Sequence, residues 1–107
     1  MANMKDREKA FESKFAHDAE MNFKAEARRN RLLAVWVGEK LGMSDEETKA
    51  YAGTLIAADL KDAGDDDVVD KIMADAKERS ATLDRDEVKA KSAEFLTQTR
   101  AALMDEA

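Results

Sequence analysis

Residues 59–70, DLKDAGDDDVVD, hold aspartates on either side of a single glycine. Such a stretch could cage a hard cation, because calcium loops gather carboxylate and carbonyl oxygens around a glycine turn. Counted from Asp59, Gly64 falls in the sixth place, where those loops turn. Lys61 and Ala63, however, stand where oxygen ligands are needed, and Asp70 replaces the bidentate glutamate of the twelfth place. The stretch reads better as carboxylates gathered at the positive N-terminus of a helix. No metal site is expected there.

The rest of the reactive inventory is thin. One histidine, His17, sits beside Asp18 in a charged run. It is either a solvated side chain or a contact residue whose charge responds to pH. There is no cysteine, so thiolate chemistry and disulfides are both excluded. The glycines stand singly, without a phosphate loop or a dinucleotide fingerprint. No organised general base is visible. The chain is read as a non-enzyme with no catalytic residue and no cofactor.

Two sets of residues point to binding instead. Lys24, Arg28 and Arg31, in and before ARRNR, share a helix face. They form either a solvated face opposite Phe23 and Ala27, or a basic patch for an acidic protein surface or a nucleotide. Phe11 and Phe15 are four residues apart in a segment with few other large apolar side chains. Spaced in this way, they could fold back onto the body or anchor a helix in a partner's groove.

Three punctuation marks divide the chain into the elements that must carry these residues. In KLGMSDEE, Gly42 suits a left-handed helix end, and Ser44 with Glu47 makes a capping box. In KDAGDDDVV, Gly64 ends one helix and Asp65 to Asp67 open the next. In SATLDRDEV, Asp84 is an N-cap with Glu87 three residues on. There is no proline, so four helices are predicted over about 5–41, 45–62, 66–80 and 85–104. Each of the last three carries apolar residues at helical spacing. NRLLAVWVGEKL, at the end of the first, supplies Leu32, Leu33, Val35, Trp36, Val37 and Leu41, with Trp36 as core anchor.

The 107 residues suit one small domain, and an all-α fold is expected. A helix from Lys5 to Leu41 would run about 55 Å at ~1.5 Å per residue, too long for a body ~35 Å across. Its N-terminal part must project, bend back or be disordered. Two buried phenylalanines, at roughly 2–3 kcal/mol each, cannot offset ~1–2 kcal/mol per residue of backbone ordering on an isolated arm. Residues 1–31 hold 8 Lys and Arg against 6 Asp and Glu, a balance of +2; residues 32–107 hold 10 against 18, a balance of −8. So acidic a chain is a poor nucleic-acid ligand. Without a signal peptide or an apolar run of membrane length, a soluble cytoplasmic protein is expected.

DREKAFESKFAHDAEMNFKAEARRNRLLAVW, Asp6 to Trp36, closely resembles the zeta subunit of the F-type ATP synthase of alphaproteobacteria. The likeness continues through YAGTLIAADLKDAGDDDVVDKI and thins to a pattern in the last helix. It implies a small four-helix bundle at residues 19–107, with first helix roughly 19–41, and a mobile inhibitory arm at residues 1–18. It implies an inhibitor of ATP hydrolysis whose arm becomes helical between the alpha and beta catalytic subunits, reaches toward gamma and blocks rotation. The positions matching the family's arm are Asp6, Arg7, Ala10, Phe11, Glu12, Lys14, Phe15, Ala16, His17 and Asp18. Phe11 and Phe15 would be buried anchors, with Arg7, Glu12 and Lys14 as a polar rim. Such a protein would be monomeric when free and would reach the inner membrane only through the synthase. A nucleotide- or signal-responsive helical adaptor without strong inhibitory action is the other reading.

Overall fold

The computed structural model describes residues 4–61 and 65–106; the side chains of residues 4–18 and of Asp65 lie outside that description. Four helices follow one another: α1 (Met4–Leu41), α2 (Asp45–Lys61), α3 (Asp65–Glu78) and α4 (Arg85–Glu106). There is no strand among the described residues. Gly64, expected to end the second helix, lies outside the described residues.

α1 has 38 residues, about 57 Å at ~1.5 Å per residue. The molecule measures 64 × 25 × 24 Å, and its radius of gyration is 17.2 Å, against about 13 Å for a compact chain of this length. The excess comes from α1, which runs on past the body as one unbroken helix. α2 and α4 both pack on α1, and α3 joins α2 to α4 on the far side. α2 runs antiparallel to α1: its first turn lies beside Gly38 and its end beside Arg29 and Asn30. α4 is antiparallel too, with Glu87 near Lys40 and Thr99 near Ala25.

The core lies between the C-terminal half of α1 and the other three helices. Leu33, Ala34 and Val37 meet Leu55 of α2, Val68, Val69 and Ile72 of α3, and Val88 of α4. Each large aliphatic among them contributes about 1.5–3 kcal/mol by leaving water. Trp36, Met43, Met73 and Phe95 close the margin, half-buried. Trp36 therefore flanks the core, with the Lys40 ammonium 5.0 Å from its ring centre. Leu32 and Val35 belong to the densest apolar run in the sequence, yet they are 40% and 49% exposed. A helix held by two neighbours buries only the stripe turned toward them, and Leu32 and Val35 fall outside it. At Gly38 the helices close tightly: a Cβ there would lie 2.6 Å from Thr48 Oγ1.

The helix ends follow from local chemistry. Gly42 has φ of 73°, and the Met43 amide donates to the Gly38 carbonyl at 2.8 Å. Met43 packs back onto the core, completing a Schellman turn. The Glu47 amide donates to Ser44 Oγ at 3.1 Å, the capping bond expected of Ser44. The Asp86 amide donates to Asp84 Oδ1 at 2.9 Å. Glu87 turns instead to Lys40, at 3.6 Å. α3 stops two residues short of the expected 80. There the Ser80 amide donates to the Lys77 carbonyl and the Ala81 amide to the Ala76 carbonyl. Ser80 itself takes φ of 58°. This is a second Schellman turn, made without the glycine that would have announced it.

Candidate functional site

The arm positions Asp6, Arg7, Ala10, Phe11, Glu12, Lys14, Phe15, Ala16, His17 and Asp18 lie on the backbone of α1, and their side chains are outside the described residues. From residue 19 onward the side chains can be described, and there α1 is clamped against α2 and α4 by a buried polar knot.

Arg29 and Asn30 are fully buried, at 0% exposure each. Arg29 Nε donates to Asn30 Oδ1 at 2.8 Å, and Nη1 donates to Ser92 Oγ of α4 at 3.0 Å. Nη2 lies 3.5 Å from Asp59 Oδ2 of α2, which also accepts from Asn30 Nδ2 at 3.2 Å. One turn along, Thr99 Oγ1 of α4 donates to the Ala25 carbonyl at 3.1 Å. No described buried side-chain nitrogen or oxygen is left without a partner. A satisfied buried guanidinium fixes the rotation and register of its helix, because any slip would strand the charge. Sequence reading passed over Arg29 and took its neighbours as the basic face. The signal was present: Ala25, Arg29 and Leu33 stand four apart, on the stripe that faces the bundle.

Lys24, Arg28 and Arg31 do lie on the outer side of α1, with different company. Lys24 pairs with Glu20 at 3.2 Å along the helix. Arg28 reaches Glu106 with both Nη atoms, at 3.0 Å each, tying the end of α4 to α1. That fork holds the Glu106 carboxyl below its ordinary range, chiefly through the hydrogen bond. Arg28 and Arg31 share an open groove of about 460 Å³ between α1 and α4, lined also by Leu32, Gln98, Thr99 and Ala102. Lys24 does not line it. A second groove of about 380 Å³ runs between Arg31 and Val35 of α1 and Ala52, Gly53 and Ile56 of α2.

Three of the described aspartates from the 59–70 stretch bind other helices, Asp59 in the knot above. Asp70 pairs with Arg85 at 2.6 Å and Asp66 with Lys89 at 3.8 Å, so the start of α3 is tied to α4. On α2, the Glu47 carboxyl is pulled below its ordinary range by Arg79 first and then by the Ser44 amide and hydroxyl. Tyr51 donates to Asp75 Oδ2 at 2.9 Å, and burial followed by that bond pushes its phenol well above the ordinary range. These groups join helices. No described helix is long and apolar enough to cross a membrane.

No curated protein matches this sequence. A solved chain, described as a solution NMR structure, is 42% identical and superposes with a TM-score of 0.69, over 81% of this chain and 99% of that one. The family of ATPase inhibitor subunit zeta matches residues 1–102. The chain belongs to the ATPase inhibitor subunit zeta family.

Proposed function

We propose that this protein inhibits ATP hydrolysis by the F-type ATP synthase through residues 1–18, with residues 19–107 as a folded seat. The arm enters as a helix between the alpha and beta catalytic subunits, toward gamma, and blocks rotation in the hydrolysis direction. Phe11 and Phe15 are the apolar anchors; Asp6, Arg7, Ala10, Glu12, Lys14, Ala16, His17 and Asp18 surround them. The free protein is a monomer, and it meets the membrane only through the synthase.

One observation carries this reading: α1 outruns its own bundle as a single helix, and the family match takes in that overhang. A helix that runs past its own bundle and carries apolar residues four apart is suited to a groove on another protein. The buried knot at Arg29 supports it, because a rigid seat lowers the ordering cost when the arm docks. The Phe11→Ala, Phe15→Ala double variant tests it. Truncating two central anchors should weaken inhibition by at least about 2 kcal/mol, roughly thirtyfold, with the thermal unfolding of the body unchanged. Equal inhibition by the double variant would remove the phenylalanines from the mechanism.

The adaptor reading rests on the groove holding Arg28 and Arg31. A nucleotide phosphate there would compete with Glu106 for Arg28. Amide shifts that saturate with nucleotide around Arg28 and Arg31, with no effect on ATP hydrolysis, would favour it over inhibition.

A further inference from the structure

Phe23 is 50% exposed and Leu60 is 64% exposed. They belong to different helices, yet they line the same small cleft on the α1–α2 seam with Glu26, Ala27 and Ile56. Asn30 and Asp59, from the buried knot, form its polar inner wall. Two large apolar side chains meeting in the open on a chain with 39% charged residues are the kind of patch that marks a protein contact.

Its position says what covers it. α2 is antiparallel to α1 and finishes at Lys61 beside this cleft. The patch therefore lies at the end of the body from which α1 departs toward the arm. Phe23 is five residues past Asp18, about 7.5 Å along a helix at ~1.5 Å per residue. α1 does not break between them, and the Arg29 knot prevents the body from swinging away. A surface that holds the arm as far as residue 18 therefore ends beside the part of the body that carries Phe23 and Leu60. In the sequence, Phe11, Phe15, Ala19, Phe23 and Ala27 also form one row at intervals of four, a single ridge of the helix.

We propose that Phe23, Ala27, Ile56 and Leu60 form a second docking surface, which seats the body on an apolar face of the ATPase adjoining the arm's site. This rests on the inhibitory reading above and extends its contact from α1 onto α2. The arm supplies the plug. The patch supplies a stop that sets how deep the plug enters.

The test is inhibition of ATP hydrolysis by the full-length chain carrying Phe23→Ser or Leu60→Ser, with Val35→Ser for comparison. Val35 is as exposed as Phe23 (49% against 50%), but it lies twelve residues along α1, about 18 Å away. Both patch variants should lose inhibition by about tenfold or more, as hot-spot truncations do, at unchanged thermal unfolding and with Val35→Ser unaltered. Leu60→Ser keeps the test valid if Phe23→Ser disturbs the bundle. Patch variants that inhibit like the unaltered chain, while Phe11→Ala, Phe15→Ala does not, overturn this inference and leave the arm mechanism standing. An unaltered chain that fails to inhibit overturns both. Equal losses in all three variants, or sedimentation showing a dimer that Leu60→Ser dissolves, would make the patch a general or self-association surface and overturn it too.

Discussion

At the scale of single residues, the side chain with most at stake is Arg29. A guanidinium at 0% exposure is tolerable only while its partners remain. Asp59→Ala removes the α2 carboxylate that both Arg29 and Asn30 use. It should cost about 3 kcal/mol in urea unfolding, the low end for breaking a buried pair, because Ser92 and Asn30 still accept from Arg29. A loss within ~0.5 kcal/mol would mean that the knot is incidental. The lone tyrosine allows a cleaner titration. Its folded phenol lies above its unfolded value near 10, so its contribution is complete below pH ~10 and is lost as the pH rises beyond it. Phenolate absorbance should therefore appear together with alkaline unfolding, and Asp75→Asn, which replaces the charged acceptor, should bring it to lower pH. An ordinary titration in the folded protein would contradict the buried Tyr51–Asp75 bond. Much of the apolar core, among it Leu33, Val37, Leu55, Ile72 and Val88, was legible from helical spacing; Leu32, Val35 and Trp36 were not placed correctly. Arg29 was legible only as a member of the Ala25–Leu33 stripe, and Asn30, Ser92 and Thr99 were not, because a buried polar group is recognisable only once its partners from other helices are in place.

At the scale of elements, the helices and two of their three junctions were written in local chemistry. Gly42, Ser44 and Asp84 act as their residue types suggest. The end of α3 was misplaced because Ser80 adopts a conformation usually left to glycine. Ser80→Gly should remove that strain and raise stability by about 0.5–1 kcal/mol in thermal unfolding; a loss would show that the serine side chain matters more than its backbone. At the α1–α2 crossing, Gly38→Ala should destabilise by about 1–3 kcal/mol. Its new methyl would meet Thr48 Oγ1, which is itself bonded to the Ser44 carbonyl. An unchanged melting temperature would mean that the crossing has slack. The outward turn of Leu32 and Val35 was not legible in the sequence. An apolar run shows that a helix has a buried face, while the positions of α2 and α4 decide which residues occupy it.

At the scale of the whole molecule, the chain is a bundle built around the second half of a helix that runs on beyond it. The spans expected from the sequence, about 5–41 against 45–62, 66–80 and 85–104, announced that imbalance, and the structure has 38 residues in α1 against 17, 14 and 22 in the others. The polar clamp between α1, α2 and α4 was less legible. The face formed by Lys24, Arg28 and Arg31 stood out by charge, yet Lys24 and Arg28 turn to Glu20 and Glu106. The knot at Arg29 and the exposed pair Phe23 and Leu60 arise only when α2 and α4 are in position. The most direct measurement of the central claim is ATP hydrolysis by the purified synthase against increasing amounts of the full chain and of a chain lacking residues 1–18. The full chain should inhibit in a saturable manner. The shortened chain should keep a cooperative, helical unfolding transition and lose inhibition. Inhibition of equal strength by the shortened chain would contradict the account.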